Sequence, residues 1–305
     1  MTALVETTKL NPVALPIRTT FAEVLASSSG SVAGFHANSE WLTCPERSRL
    51  KALGLKRKPP LDFEKDKELN ALDYGILLHE LLALRVCYGH DVALNTLNVW
   101  SPELGASWQK ATAMLSVYEE TFPYAADPLQ FLGVEVPVIT NIRATETSPL
   151  PCLRSVRYDG LVYAVSAGGT KQLYSLERKS MSRSGPGALS AYKAQAMIQV
   201  ALWNANKALV EQYGKMHGVI FETLVKTKIP SVDRIPEYVS PKQEQLARDY
   251  MRYSTNGIVQ FSQLPDGTYP KFLHACWGRW APCDFISLCH DEIVGDYTLN
   301  GEDIS

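Results

Sequence analysis

A helix, three strands, a second helix and a fourth strand, in that order, predict an α/β fold for the middle of this chain. Three observations carry the prediction. A helical stretch, apolar nearly all round at its centre, runs from about Lys67 to Cys87. Period-two alternation then takes over between Gly133 and Glu177, interrupted by the turn signal Gly168-Gly169. Finally, a long helical pattern over residues 188–213 leads into the apolar run Gly218 to Val225.

Each element has its own signal. Residues 1–33 scatter Pro, Ser, Gly and Thr without periodicity and read as a loosely attached, flexible arm. From Ser39 to Leu55 the apolar positions Trp41, Leu42, Leu50 and Leu53 are spaced for a helix, with Gly54 as its stop and Pro59-Pro60 beyond it. In the next helix, Ile76 to Leu82 is apolar nearly all round, which predicts burial, and Gly89 marks its end. A third helix is expected over Ser107 to Thr121. The strands follow at 133–138, 156–165 and 172–177; a last helix covers about Lys242 to Tyr253. The expected main domain is 34–290. Residues 291–305 hold five acids and no base, and read as a solvated acidic tail.

Composition narrows the functional classes. The chain has 305 residues, 46% of them hydrophobic and 20% charged, which suits a globular protein with a sizeable core. A net charge of −2 supplies no global basic field, so any nucleic-acid binding must come from local patches. One patch is Arg47, Arg49, Lys51, Lys56, Arg57 and Lys58; its plain alternative is a solvated face. No apolar run is long enough to span a membrane, and the N-terminus lacks a secretory signal, so a cytoplasmic protein is expected. There, cysteines serve metals or chemistry rather than disulfides.

Two constellations suggest chemistry. Asp159 and Glu177 occupy near-facing positions of a candidate hairpin, where both carboxylates could meet one hard divalent cation such as Mg²⁺ or Mn²⁺. Lys179 lies two residues beyond Glu177, on the same strand face, and would bring an ammonium to a metal-bound water. His79 is a polar ring in a leucine-rich turn and needs a partner, either that metal or an ordinary core acceptor. Gln195 and Gln199 line one helix face with Trp203, as amides contacting DNA or Lys179, or as a plain helix surface. The second constellation is Cys276, Cys283 and Cys289 within a short C-terminal stretch, with Cys44 as the fourth ligand of a metal centre. His274 or His290 could replace one of them, and Cys87 and Cys152 read as apolar cysteines.

These residues resemble the PD-(D/E)XK nucleases of the RecB type. Within them they are most similar to the iron–sulfur branch, which includes the AddB nuclease domain, CRISPR-associated RecB-like exonucleases and phage-encoded relatives. Gly75-Ile-Leu-Leu-His79 looks like the family's Gly-x-x-x-His helix, and Tyr158-Asp159-Gly160 like its Pro-Asp element with Tyr for Pro. Leu176-Glu177-Arg178-Lys179 matches (D/E)-x-K, and Gln199 to Trp203 looks like Gln-x-x-x-Tyr with Trp for Tyr. The final cysteines show a gap of six where many relatives have two.

The resemblance implies a restriction-endonuclease-like core with a helical N-terminal flank and a cysteine-bearing C-terminal flank. It also implies a metal site of His79, Asp159, Glu177 and the Arg178 backbone carbonyl, with Lys179 catalytic beside Glu177 and Asp159. A 4Fe–4S cluster on Cys44, Cys276, Cys283 and Cys289 is expected, zinc being the alternative. The implied activity is Mg²⁺- or Mn²⁺-dependent DNA exonuclease action in recombination, repair or phage DNA processing. The expected partners are DNA, single-stranded or with free ends, bound through Gln199, Gln195, Arg57 and Lys58, and a recombination or replication protein. Two other readings stay open: a non-catalytic DNA-end-binding protein on the same fold, and a zinc-stapled module of a larger complex.

Overall fold

The computed structural model describes residues 15–27, 50, 53, 55–57, 68–141, 153–165, 169–182, 185, 187–262, 297–299 and 302–303. The chain divides into two units, one made of residues 1–30, 66–141 and 153–249, the other of residues 31–65, 142–152 and 250–305. The elements in order are α1 (Phe21–Ser27), β1 (Leu55–Arg57), α2 (Ala71–Tyr88), α3 (His90–Leu104), α4 (Ser107–Thr121), β2 (Gln130–Asn141), β3 (Leu153–Val165) and β4 (Lys171–Met181). They continue with α5 (Lys193–Ala205), α6 (Lys207–Tyr213), β5 (Met216–Val225), β6 (Ser231–Tyr238), α7 (Pro241–Ser262), β7 (Tyr297–Leu299) and β8 (Glu302–Asp303).

In the first unit β2 to β6 form a five-stranded sheet in chain order. The β2–β3, β3–β4 and β5–β6 pairs are antiparallel, and β4–β5 is parallel. A parallel neighbour cannot be reached by a tight turn, which is why α5 and α6 intervene between β4 and β5. A helix, three antiparallel strands, a helical crossover and a parallel strand make a restriction-endonuclease-like α/β core, as the sequence predicts. β6 is an addition that the sequence pattern did not announce.

Local chemistry explains the helix ends. Asn70 caps α2 by accepting from the N–H groups of Leu72 and Asp73, both at 2.9 Å. Gly89, at φ 96°, takes the positive dihedral that lets α2 stop and α3 begin one residue later. The expected helix over 188–213 is two helices, because Asn206 leaves helical geometry and its side chain caps α6 through the Leu209 N–H. α3 was not expected. Its buried Ala93, Leu97, Trp100 and Leu104 are nevertheless spaced 4, 3 and 4 apart, a readable apolar stripe obscured by Asn95, Asn98 and Pro102.

The largest core joins α1 to α4 with Val134, Leu224 and Val232 of the sheet. Residues 15–27 belong to it, which corrects the expectation of a loose arm over this stretch. Phe21 and Val24 are each 2% exposed. Backbone groups of the segment are also held from α2 and α3: the Tyr88 hydroxyl donates to the Leu15 carbonyl at 2.6 Å, and Trp100 Nε1–H to that of Arg18 at 3.2 Å.

In the second unit β1, β7 and β8 form a small sheet, with Leu55–Arg57 antiparallel to Tyr297–Leu299. The tail expected to be solvated therefore contributes two short strands, through the β-favouring Tyr-Thr-Leu segment. Leu55, expected to end a helix, starts β1. Cys44, Cys276, Cys283, Cys289, Cys152, His274 and His290 lie outside the described residues, as do Arg47, Arg49, Lys51 and Lys58. No helix of the described residues is long and apolar enough to cross a membrane.

Candidate active site

The middle of β3 holds Asp159 and the end of β4 holds Glu177 and Lys179, while His79 comes from α2 and Gln195 and Gln199 from α5. The β3–β4 ladder ends with Gly160 opposite Leu176, and Asp159 and Glu177 are the next residue along each strand. A Cβ on Gly160 would stand 3.1 Å from that of Leu176. Asp159-Gly160 is thus a point of close strand approach.

Although adjacent in register, the two carboxylates point into different surroundings. Asp159 Oδ2 accepts the Arg178 N–H at 2.7 Å and lies 3.5 Å from His79 Nδ1. The other ring nitrogen of His79, Nε2, is 3.1 Å from the Arg178 carbonyl. A proton on Nε2 makes that contact a hydrogen bond and leaves the Nδ1 lone pair facing Asp159. His79 is not sealed in the leucine core; its side chain is 30% exposed while its neighbours Leu78 and Leu81 are fully buried.

Glu177 is instead enclosed by donors. Lys179 Nζ and Gln195 Nε2 reach one carboxylate oxygen, each at 2.6 Å, and Gln199 Nε2 reaches the other at 2.7 Å. Lys179 also contacts Gln195 Oε1 at 3.3 Å, and its ammonium sits 4.6 Å from the centre of the Tyr192 ring. Burial disfavours the Lys179 charge, yet the Glu177 and Asp159 carboxylates outweigh it and raise its pKa. The lysine is therefore held as a cation at neutral pH. Gln195 and Gln199, read from sequence as contacts to DNA or to Lys179, frame Glu177, and Gln195 also meets Lys179. Trp203 is fully buried, donates to the Gly214 carbonyl at 3.0 Å and packs edge-on against Tyr158.

Sequence reasoning missed Glu135. It sits on β2 directly across from Asp159, between the pairs Val134–Gly160 and Val136–Tyr158. One ligand atom from each of His79, Glu135 and Asp159 can be chosen so that all lie within 4.8 Å of one another. Glu135 has φ 50°, a conformation that non-glycine residues rarely adopt. Burial, with Asp159 adding to it and Arg157 opposing it, raises its pKa to about 7. The available signal was an acid inside a strongly alternating Val-Glu-Val-Pro-Val run, which looks like an ordinary solvent-facing position.

Arg178 connects this cluster to the interior. Its guanidinium is fully buried and donates through Nε to Glu222 at 3.0 Å. Glu222 also accepts from Arg234 at 2.9 Å and from the Tyr118 hydroxyl at 2.6 Å, and Arg234 pairs with Asp127 through both terminal nitrogens. The network pins the Arg178 side chain, while its backbone N–H and carbonyl meet Asp159 and His79.

A cavity of about 600 Å³ opens beside His79 and Glu135, bounded also by Arg18, Arg157, Lys179 and the aliphatic Leu15 and Ile76.

Neither protein-family models nor curated proteins match this chain. Among solved structures it is similar to a "putative exonuclease" of Eubacterium rectale, at 12% identity and a TM-score of 0.42, covering 85% of each chain. It is also similar to the protein SSO0001, at 13% identity and a TM-score of 0.32, covering 84% of this chain and 97% of that one.

Proposed function

We propose that this protein is a divalent-cation-dependent DNA nuclease, a phosphodiester hydrolase. The observation that carries the reading is that His79, Glu135 and Asp159 each bring a ligand atom within 4.8 Å of the others, with the ammonium of Lys179 2.6 Å from the Glu177 carboxylate. The residues fit a hard cation: an imidazole lone pair and carboxylate oxygens converge without a full complement of protein donors. His79, Glu135 and Asp159 would hold it, and the Arg178 carbonyl keeps a second lone pair beyond its contact with His79. Bound there, Mg²⁺ or Mn²⁺ would supply charge neutralisation and a more acidic water.

The chain's own part is positional. Arg178 N–H orients Asp159, and Nε2–H on the Arg178 carbonyl fixes the His79 tautomer. Glu177, with its two glutamines, aims Lys179, whose fixed positive charge stabilises charge developing on the phosphate oxygens. In this arrangement Glu177 acts as the partner of Lys179, a different role from the direct ligand expected from sequence.

The exonucleolytic mode and a role in recombination, repair or phage DNA processing belong to the same proposal, as does a structural 4Fe–4S cluster on Cys44, Cys276, Cys283 and Cys289. The cluster reading is supported by the β1–β7 pairing, which joins chain shortly after Cys44 to chain shortly after Cys289. Arg57 and Lys58 would add phosphate contacts.

The test is an anaerobic digestion of end-labelled linear DNA and circular DNA, single- and double-stranded, with Mg²⁺, Mn²⁺ or chelator. Cation-dependent release of label from linear strands, with circles surviving, is expected. Intact DNA under every metal condition would overturn the reading.

A further inference from the structure

We infer that the 600 Å³ cavity beside the carboxylates is a pocket for the terminal nucleotide of a DNA strand, with Arg18 and Arg157 as its phosphate-binding groups. The inference rests on the nuclease reading for the reaction but on separate residues for the pocket. The cavity volume lies in the range of sites for small ligands, about 300–1,000 Å³. One nucleotide with its phosphates is a ligand of that size.

The lining divides by chemistry. Leu15, Val24, Leu72, Ile76 and Pro137 offer an aliphatic surface suited to the faces of a base. Against it stand the guanidiniums of Arg18 and Arg157, whose forked donors match phosphate oxygens. Both are engaged through one nitrogen: Arg18 Nη1 with Glu80, and Arg157 Nε with Glu135 at 3.0 Å. Each thus retains further N–H donors for an incoming anion. The Arg157 side chain is 45% exposed and can turn toward a ligand without leaving a core.

Arg18 is placed by its backbone and not by chance packing. Trp100 holds its carbonyl, and Glu103 accepts from the N–H groups of Phe21 and Ala22 at 3.3 and 3.0 Å. The N-terminal segment is therefore a fixed wall standing one helix residue from His79. A site lined by the proposed cation ligands His79 and Glu135, by two guanidiniums and by an aliphatic surface is complementary to a single nucleotide. It does not have the extended basic track of a strand-following groove.

The test uses the full chain with Ca²⁺ in place of Mg²⁺ and thymidine 5′-monophosphate as the probe, with binding read by calorimetry. The unsubstituted protein should bind it, and Arg18→Ala should weaken binding about tenfold, the scale of one charge-assisted contact. Because Arg18→Ala also strips Glu80 of its partner, Leu72→Glu gives the second arm. Leu72 is 73% exposed in the first turn of α2, where an acid favours the helix, so this variant should keep its Tm while repelling phosphate. In DNA cleavage, both variants should raise KM and leave kcat close to parental. Absence of binding by the parent, or parental affinity in both variants, overturns the pocket. If DNA is cleaved without that binding, the pocket fails and the nuclease reading stands. If the mononucleotide binds as described but DNA survives, the reverse holds.

Discussion

Glu222 and Glu135 are two acids held deep in the same unit, and they are treated in opposite ways. Glu222 has no exposed surface and accepts from two guanidiniums and a tyrosine hydroxyl. Glu135 is 16% exposed and pairs with one arginine, itself half-exposed, while facing a second carboxylate across the strand pair. The first arrangement fixes a backbone; the second keeps a carboxylate under-compensated beside a cavity. A buried acid is structural when its partners are complete, and becomes a candidate for chemistry when they are not.

The largest effect should come from breaking the complete partner set. Glu222→Ala strands Arg178 and Arg234 without their shared acid and should cost about 3–5 kcal/mol in urea unfolding. A loss under about 1 kcal/mol, the level of an ordinary surface pair, would remove the distinction between the two acids.

Next is the site itself. Asp159→Asn retains an oxygen to accept the Arg178 N–H but loses its charge, and Lys179→Ala removes the held cation. Each should lower kcat by about 10²–10³ in protein that is still folded, on the scale of one lost electrostatic contact to a transition state. Near-parental turnover in both variants would show that the chemistry lies elsewhere.

The smallest effect sharpens the comparison through pH. The Glu135 pKa is raised from 4.5 to about 7 in the folded chain, so below pH 4.5 the group is protonated in both states and contributes nothing. As pH climbs from there through 7, the folded state must ionise a group that the unfolded chain ionises more readily, and stability is lost. Glu135→Gln escapes that loss. Its Tm in chelator should match the parent's at pH 4 and exceed it by a few degrees at pH 8. Divalent cation should reverse the order at pH 8, because only the parent offers the carboxylate. A Tm difference independent of pH would place Glu135 with the compensated acids.

How much of this was legible in the sequence differs from one link to the next. The core order was readable because apolar period changes cleanly from helix to strand and back. The facing positions of Asp159 and Glu177 and the nearness of Lys179 to Glu177 followed from strand geometry. The split between the two carboxylates did not, since it depends on which helix supplies partners: α2 brings His79 to Asp159, and α5 brings both glutamines to Glu177. Glu135 was illegible for another reason. Alternation assigns such an acid to solvent, and only the register with β3 and the wall beside it turn that face into a cavity. Arg18 was hidden by the weak periodicity of the segment around it, whose order comes from α2 and α3 and not from its own pattern.

That docked segment also bears on the order in which the molecule is made. Chains emerge from the ribosome N-terminus first. Leu15, Arg18 and Phe21 must wait for Tyr88, Trp100 and Glu103, roughly two to three helices' worth of synthesis later. Those partners nonetheless appear before any strand of the five-stranded sheet. The helices α1 to α4 share one buried cluster, and all four are synthesised before that sheet. The Arg18 side of the cavity can thus be standing before Glu135, Arg157, Asp159 and Lys179 have been translated. The nascent sheet then closes onto a surface that already has its shape.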